Sequence, residues 1–531
     1  MTKQKVFFVL IVLTMLVILA GSLLVWKNKR LKNEPFHFVG LETAKQEIPF
    51  QMPEFKDPDF PENICNISDY GAVNDGVTKN TKAFTDAMNA CAEKGGGIVL
   101  VPKGSWLTGP IHFKSNINLH IEKGAEVLFS TNFEDYLPVV FTRFEGIELY
   151  NYSPLVYAKD CTNVAITGEG TLNGQGIAWD KWNDRQDDAI YRLYQMAKEN
   201  ISVENRIFGT EEDALRQSFV QFVGCNNVLL KDVTIINSPM WTIHALYSEN
   251  IHIRKVNVNT SGHNTDGLVI DSSKNVIVED SYFRTGDDGI SIKSGLDNDG
   301  WRVGKPSENI IIRNCRGKMG NSGVAIGSEM SGDVRNVFAY NCYFDDMDFA
   351  FRIKSAQSRG GTVENIWVKN INADDIHINV VELSMKYPAS SVQLAEFDKR
   401  MPTLQNINIS NVFCKEAKNA IKLMGTAEKF IENVSMENIE IKSSRALRLT
   451  YSKGVRIKRV NITSKYSPVF RFMDSQDIIV EDSSCAENME SCVSIEGDAS
   501  KNINIKNNDF SKTPQKVIIK SGAKPEAALV E

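Results

Sequence analysis

NTDGLVIDSSKNVIVEDSYFRTGDDGISIK, residues 264–293, sets a short alternating apolar run, SKNVIVED, between two carboxylate clusters. The alternation predicts a strand. Its core, Asn-(Val/Ile)-x-(Ile/Val), recurs along the chain with asparagine at 163, 227, 250, 275, 309, 336, 365, 406, 433 and 502. KGVRI at 453–457 and QDIIV at 476–480 fill the last gap, with Gly454 and Asp477 in the asparagine position. Most repeats are 23–27 residues apart, and the longer intervals look like loop insertions. A period of this length, made of short apolar runs without helical periodicity or a leucine framework, predicts an all-β, right-handed parallel β-helix (a β-solenoid). Asparagine at a fixed place in each coil suits a left-handed turn, and stacked asparagines can form a hydrogen-bonded ladder.

Working outward, the coils are expected to form one domain over 61–525, without an independent second domain. The helix pattern before them, with Phe84, Ala87, Met88 and Cys91 on one face and Asn80 or Thr81 as its cap, suits a lid on the exposed end of the stack. Residues 27–60 are polar and unpatterned and read as a linker or strap. Val6 to Trp26 is an uncharged apolar span, so 1–26 is a signal peptide or N-terminal membrane anchor. Possible cleavage sites follow Ala20 and Ser22, while KNKR at 27–30 favours an uncleaved anchor. Export follows either way, to a periplasmic, envelope-anchored or secreted location.

The 531 residues carry a net charge of −6, which leaves no basic footprint for nucleic acid. Nine cysteines recur in similar local settings and read as small buried packing residues, with Cys485 and Cys492 the one close pair. No Cys/His spacing suggests zinc. DNDG at 297–300 is a fragment of a calcium loop without its remaining ligands and is expected to be an exposed turn.

Counted from each coil's asparagine, Asp266, Asp287, Asp288, Asn321, Arg352 and Lys354 fall in one sector of four successive coils. Acids packed within a strand spacing or two cannot all stay ionised, so at least one pKa should rise. One protonated and one ionised carboxyl is the requirement for cleaving a glycosidic bond. Arg352 and Lys354 suit a sugar carboxylate.

NTDG at 264–267, GDDGISIKSG at 286–295, IGSEMSGDVRNV at 326–337 and FRIKSAQSRGG at 351–361 together resemble glycoside hydrolase family 28, the polygalacturonases. DYGAVNDG at 69–76, GGGIVLVPKGSWLTG at 95–109 and SPMWTIH at 238–244 are similar to bacterial members. The resemblance implies an inverting hydrolase of galacturonate-containing pectic polysaccharide or oligosaccharide. Asp287 would be the general acid, and Asp266 and Asp288 would hold and deprotonate the water. Arg352 and Lys354 would bind the substrate carboxylate, with Asn264, Asn321 and His244 as further substrate contacts. No metal or organic cofactor is implied, and the enzyme is expected to be a monomer.

One position departs from the family, whose usual histidine falls at Asn321; asparagine can hydrogen-bond the substrate but cannot tune the acid's ionisation. His263 and Trp241 have structural and functional readings of equal weight. The insertions at 177–217 and 295–308 suggest exo action by blocking one end of the cleft. The alternatives are a rhamnogalacturonan or other uronide hydrolase, a Ca²⁺-dependent pectate lyase, and a non-catalytic glycan-binding β-helix.

Overall fold

The computed structural model describes residues 46–388, 400–485 and 489–531. The apolar span 6–26 lies outside them. Among the described residues no helix is long and apolar enough to cross a membrane.

Parallel pairing between successive coils builds a 34-stranded sheet that winds as a right-handed parallel β-helix, as the repeat predicts. Each repeat's first apolar residue stacks on the next. Val228, Ile251, Val276, Ile310, Val337, Ile366, Ile407 and Val434 form one such column. All of them are buried. Each such side chain contributes roughly 1.5–3 kcal/mol, so the repeating core fixes the stacking.

The asparagines form the expected ladder. Asn275 Nδ2 donates to Asn250 Oδ1 at 3.1 Å, Asn309 to Asn275 at 3.1 Å and Asn336 to Asn309 at 3.0 Å. All sit at positive φ, Asn309 at 58°. A second left-handed turn five residues on escaped the sequence reading. It runs through Asn314, Asn341, Asn370, Asn411 and Asn438, and Asn370, Asn411 and Asn438 each donate to the asparagine one coil back. Lysine, aspartate and arginine occupy other coils at this place (Lys255, Asp280, Arg459), which hid the pattern. Asn309→Ala is expected to cost about 2–4 kcal/mol, from two lost hydrogen bonds and the left-handed backbone penalty. Asn309→Gly should cost about half of that. Equilibrium denaturation of both variants checks this, and equal losses would remove the backbone contribution.

The helix Thr81–Glu93 buries Phe84, Ala87, Met88 and Cys91 as expected. Its capping differs from expectation. The Asn80 side chain makes no cap bond; it accepts from Val73 N–H and donates to Leu107 O, tying the helix entry to the first coil. Thr81 Oγ1 accepts from Gly109 N–H at 2.6 Å.

Residues 46–60 are no free linker. Ile48, Phe50 and Met52 pack on the cluster of Ile311, Phe338 and Tyr340, Phe50 lies against Trp367, and Asp57 binds His252 and Arg254 on the outer face. Strand pairing continues past the expected end at 525, to Ala528–Val530. Cys485 and Cys492 form a disulfide, and the seven remaining cysteines are free and buried.

Both insertions gather on one side of the stack. The hairpin Val140–Phe144/Ile147–Asn151, the helix Asp187–Lys198 and Leu296 share a satellite core with Trp241. DNDG is not an exposed turn. It opens the helix Asp297–Val303, with Asp299 buried against Arg206 (2.8 Å) and the Glu148 N–H (2.8 Å). Its carboxylates serve as ties between insertion and hairpin, because the neighbouring arginines are buried with them.

Candidate active site

Tight backbone turns bring the acids together. Gly267 N–H bonds to Asp288 O at 2.9 Å, and Asn321 N–H to Asp287 O at 3.0 Å, so Asp266, the Asp287–Asp288 pair and Asn321 occupy consecutive coils. A Cβ at Gly286 would lie 2.2 Å from Gly262 O, and one at Gly320, whose φ is 90°, 2.3 Å from Asp287 O. Glycine is required at both positions because the chain approaches itself.

The side chains line a cavity of about 340 Å³. Ser291 Oγ donates to Asp266 at 2.7 Å, Lys354 Nζ to Asp288 at 2.9 Å, and Lys293 Nζ to Glu329 at 2.9 Å. Burial, followed by repulsion from Asp287, raises the Asp266 pKa well above the usual carboxylate range. Burial and then Asp288 raise that of Asp287. Burial also opposes ionisation of Asp288, but Lys354 and Lys293 outweigh it and hold the group below its usual value. The site therefore contains a carboxylate held in its ionised form beside two whose proton affinity is raised. Such a set can donate a proton to a leaving oxygen and withdraw one from water. Two ammonium groups inside the cluster also disfavour a divalent cation there, against the lyase alternative. Another possible ligand group, Asp346, Asp375 and His377, lies outside this cavity.

The other expected site residues divide. Asn264 lines the cavity, with its Oδ1 accepting from Arg216 (2.8 Å) and His263 (2.6 Å). Asn321 and Lys354 line it as well, the lysine already engaged with Asp288. Arg352 stands beside it, two residues before Lys354; its Nε donates to Glu382 at 3.1 Å and its guanidinium covers the Phe349 ring. His244 corrects the expectation of a substrate contact. It has no exposed surface and is held by Gln221 (2.8 Å), Ser218 (3.3 Å) and Asp271 (3.4 Å). The hairpin covers it, with Thr142 bonded to Gln221 and Arg143 to Asp271. Burial lowers its pKa, so it is a neutral packing element. Trp241 is buried in the satellite core yet borders the cavity, and His263 faces the adjoining one.

Lys293, Glu329 and Glu145 are cavity residues that the motifs did not single out. The first two stood in plain view in GISIK and IGSE. Glu145 had only a turn signal, Glu-Gly between two apolar runs. It occupies the two-residue turn of the hairpin at φ 43°, beside Gly146 at 86°. Leu296 N–H pins this turn by bonding to Gly146 O at 3.0 Å. Glu145 has no hydrogen-bond partner among the described residues. Burial and then Glu329 raise its pKa to about 7, against the pull of Lys293 and Arg216.

A parallel β-helix that sets carboxyl groups of opposed proton affinity in a lysine-lined cleft defines a carbohydrate-cleaving enzyme. Residues 91–467 match the family described as Glycosyl hydrolases family 28, and the chain belongs to that family of glycoside hydrolases. It is 29% identical over 390 residues to a probable polygalacturonase of Vitis vinifera, covering 71% of this chain and 74% of that protein. It is 28% identical to the exo-poly-alpha-D-galacturonosidase of Dickeya chrysanthemi, covering 69% of this chain and 65% of that protein, just under two thirds of its length. Among solved structures, the hyperthermoactive exopolygalacturonase of Thermotoga maritima is 38% identical with a TM-score of 0.74, covering 77% of this chain and 93% of that one.

Proposed function

We propose that this protein hydrolyses galacturonate-containing pectic polysaccharide from a chain end, by single displacement with inversion. Asp287 protonates the leaving oxygen, and the ionised Asp288 with Asp266 holds and deprotonates the attacking water. The observation that carries this reading is the contrast between Asp287, whose proton affinity burial raises, and its neighbour Asp288, which Lys354 and Lys293 keep ionised. Burial and repulsion from a neighbouring carboxylate raise the proton affinity of both Asp266 and Asp287, and a proton carried on Asp287 leaves Asp266 to accept one from water. Lys354 and Arg352 attract the sugar carboxylate from one side. Asn321 and Asn264 offer hydrogen bonds from loops bordering the same cavity.

The exo character rests on the hairpin turn at Glu145 and the docked insertions, which narrow one side of the cleft. The enzyme is exported by its N-terminal segment and acts as a monomer on a polymer outside the cytoplasm. Incubation with polygalacturonate, galacturonate oligomers and rhamnogalacturonan, with and without chelator, tests the assignment. Saturated mono- or disaccharide release that resists chelator is expected, with the product's anomeric configuration inverted by NMR. Release from rhamnogalacturonan alone would transfer the assignment to that substrate, the outcome that asparagine at 321 makes the nearest competitor.

Glu145 gives a pH prediction. Its pKa of about 7 means that it is neutral below this pH and charged above it. The substrate is an anion, so KM is expected to rise severalfold between pH 6 and pH 8. Glu145→Gln should flatten that rise. An unchanged profile in the variant would remove Glu145 from substrate contact.

A further inference from the structure

The strand columns that carry the site continue beyond it into a second groove. Ser322 is followed in register by Phe349, Asn379, Asn419 and Arg445. Arg352 is followed by Glu382, Lys422, Arg448 and Arg471. Lys422, Arg445, Arg448, Arg471 and Tyr466 border a groove of about 610 Å³. The chain as a whole is acidic, at −6, yet like charges meet here one strand spacing apart, which opposes folding.

The counter-charges do not cover them. Arg471 reaches Glu496 at 2.6 Å and Lys422 reaches Glu382 at 3.5 Å. Arg445 and Arg448 are exposed and pair with no acid among the described residues. Partial desolvation at the groove, then repulsion from Arg471 and Arg445, lowers the Arg448 pKa against the pull of Glu496. The Nε of Arg471 is buried without an acceptor. Tyr466, 50% exposed, presents an aromatic face at the same groove. Cationic donors beside an aromatic face are the chemistry of acidic-sugar recognition, the ring packing on a sugar and the guanidinium forks on its carboxylates.

We propose that this groove is a distal binding site for the acidic polysaccharide whose end is cleaved at Asp287, an inference that rests on the function proposed above. Arg448 lies three strand spacings from Arg352, about 14 Å along the stack. A pyranose unit is about as long as one spacing, so a chain lying along the stack sets about one sugar per coil and returns carboxylates to the groove as it turns. The groove holds the polymer between cleavages and makes the enzyme favour long chains over short ones. An excess of exposed cations binds such a polyanion more weakly as salt rises.

The test compares the Arg445→Gln/Arg448→Gln double variant with the unmodified enzyme on polygalacturonate and digalacturonate. The ratio of polymer to dimer kcat/KM is expected to fall at least fivefold at low salt, and the salt sensitivity of the polymer KM should largely disappear. In parallel, polygalacturonate cast in a native gel should retard an Asp287→Asn protein, and adding the double substitution should abolish the retardation. An unchanged ratio overturns the groove, as does an equal loss on both substrates, which would mark a structural role. If the unmodified enzyme cleaves no galacturonide, the proposed function fails while the gel still decides the groove. Retardation that survives the double substitution overturns it.

Discussion

Asp287→Asn is expected to lower kcat by about 10³-fold while KM changes less than twofold. The magnitude is that of removing a positioned general acid, for which two to four orders are typical. KM should hold because the amide keeps the shape of the carboxyl, and its oxygen can still accept the Asp288 N–H now bonded at 2.9 Å. Stability should not fall. Asp287 is a buried acid repelled by Asp288, so a neutral amide removes a cost. Initial rates and Tm, measured together, separate the outcomes. A variant that keeps a tenth of the activity would exclude Asp287 as the acid, and a large drop in Tm would make the rate loss a folding effect. The unmodified enzyme should lose activity on the alkaline side as Asp287 gives up its proton, above the pH of an ordinary carboxyl because its pKa is raised. On the acidic side activity should fall as the Asp266–Asp287 pair takes up a second proton, while Asp288, whose pKa is lowered, stays ionised.

Lys354→Met should be the most disruptive change in stability, roughly 3–5 kcal/mol, because it leaves the buried Asp288 carboxylate without its partner at 2.9 Å. The sign of the pH dependence follows from linkage. With Lys354 present, the folded-state pKa of Asp288 lies below the unfolded value, so the pair stabilises above the unfolded pKa and loses this as pH falls through the folded one. Without Lys354, Lys293 and Ser322 are left to oppose the burial of Asp288, and its folded pKa is expected to rise above the unfolded one. The penalty is then full at neutral pH and is relieved on acidification. The Tm gap between variant and parent should therefore be widest near pH 7 and narrow toward pH 4. The acidic limb of kcat should move upward in pH, since each acid of the cluster loses the pull of the Lys354 charge. A Tm gap independent of pH would mean that Lys354 acts through packing and not through charge.

The repeated asparagines show why so much of this fold was legible. Each coil must turn through a left-handed residue, and each coil buries the same apolar positions, so local chemistry and long-range stacking impose one period on the chain. The second turn was harder to read because Lys255, Asp280 and Arg459 occupy it as well as asparagine. A backbone constraint there is met by several residue types. The acids were legible for the same reason as the ladder. They sit in regular coils, and counting from the asparagine put them on neighbouring turns.

His244 and Glu145 were misjudged or missed for a shared reason. Neither environment comes from the repeat. The hairpin from residues 140–151 folds back over coils more than seventy residues away in sequence, bonding Thr142 to Gln221 and Arg143 to Asp271. It buries a histidine that its own strand would have left outward, and it carries a carboxylate into a cavity built from other coils. Asp299 changed from an expected turn residue to a buried tie by the same packing.

By itself, then, the sequence determined the coil period, the parallel β-helix and the sector holding Asp266, Asp287, Asp288, Asn321 and Lys354, because these follow from a repeat that each coil obeys locally. The tertiary structure decided which acid stays charged, which histidine is buried, where the cleft narrows, and that cations continue beyond it. Those properties depend on desolvation and on charges brought close by insertions and by later coils, and neither burial nor through-space charge is encoded at any single position.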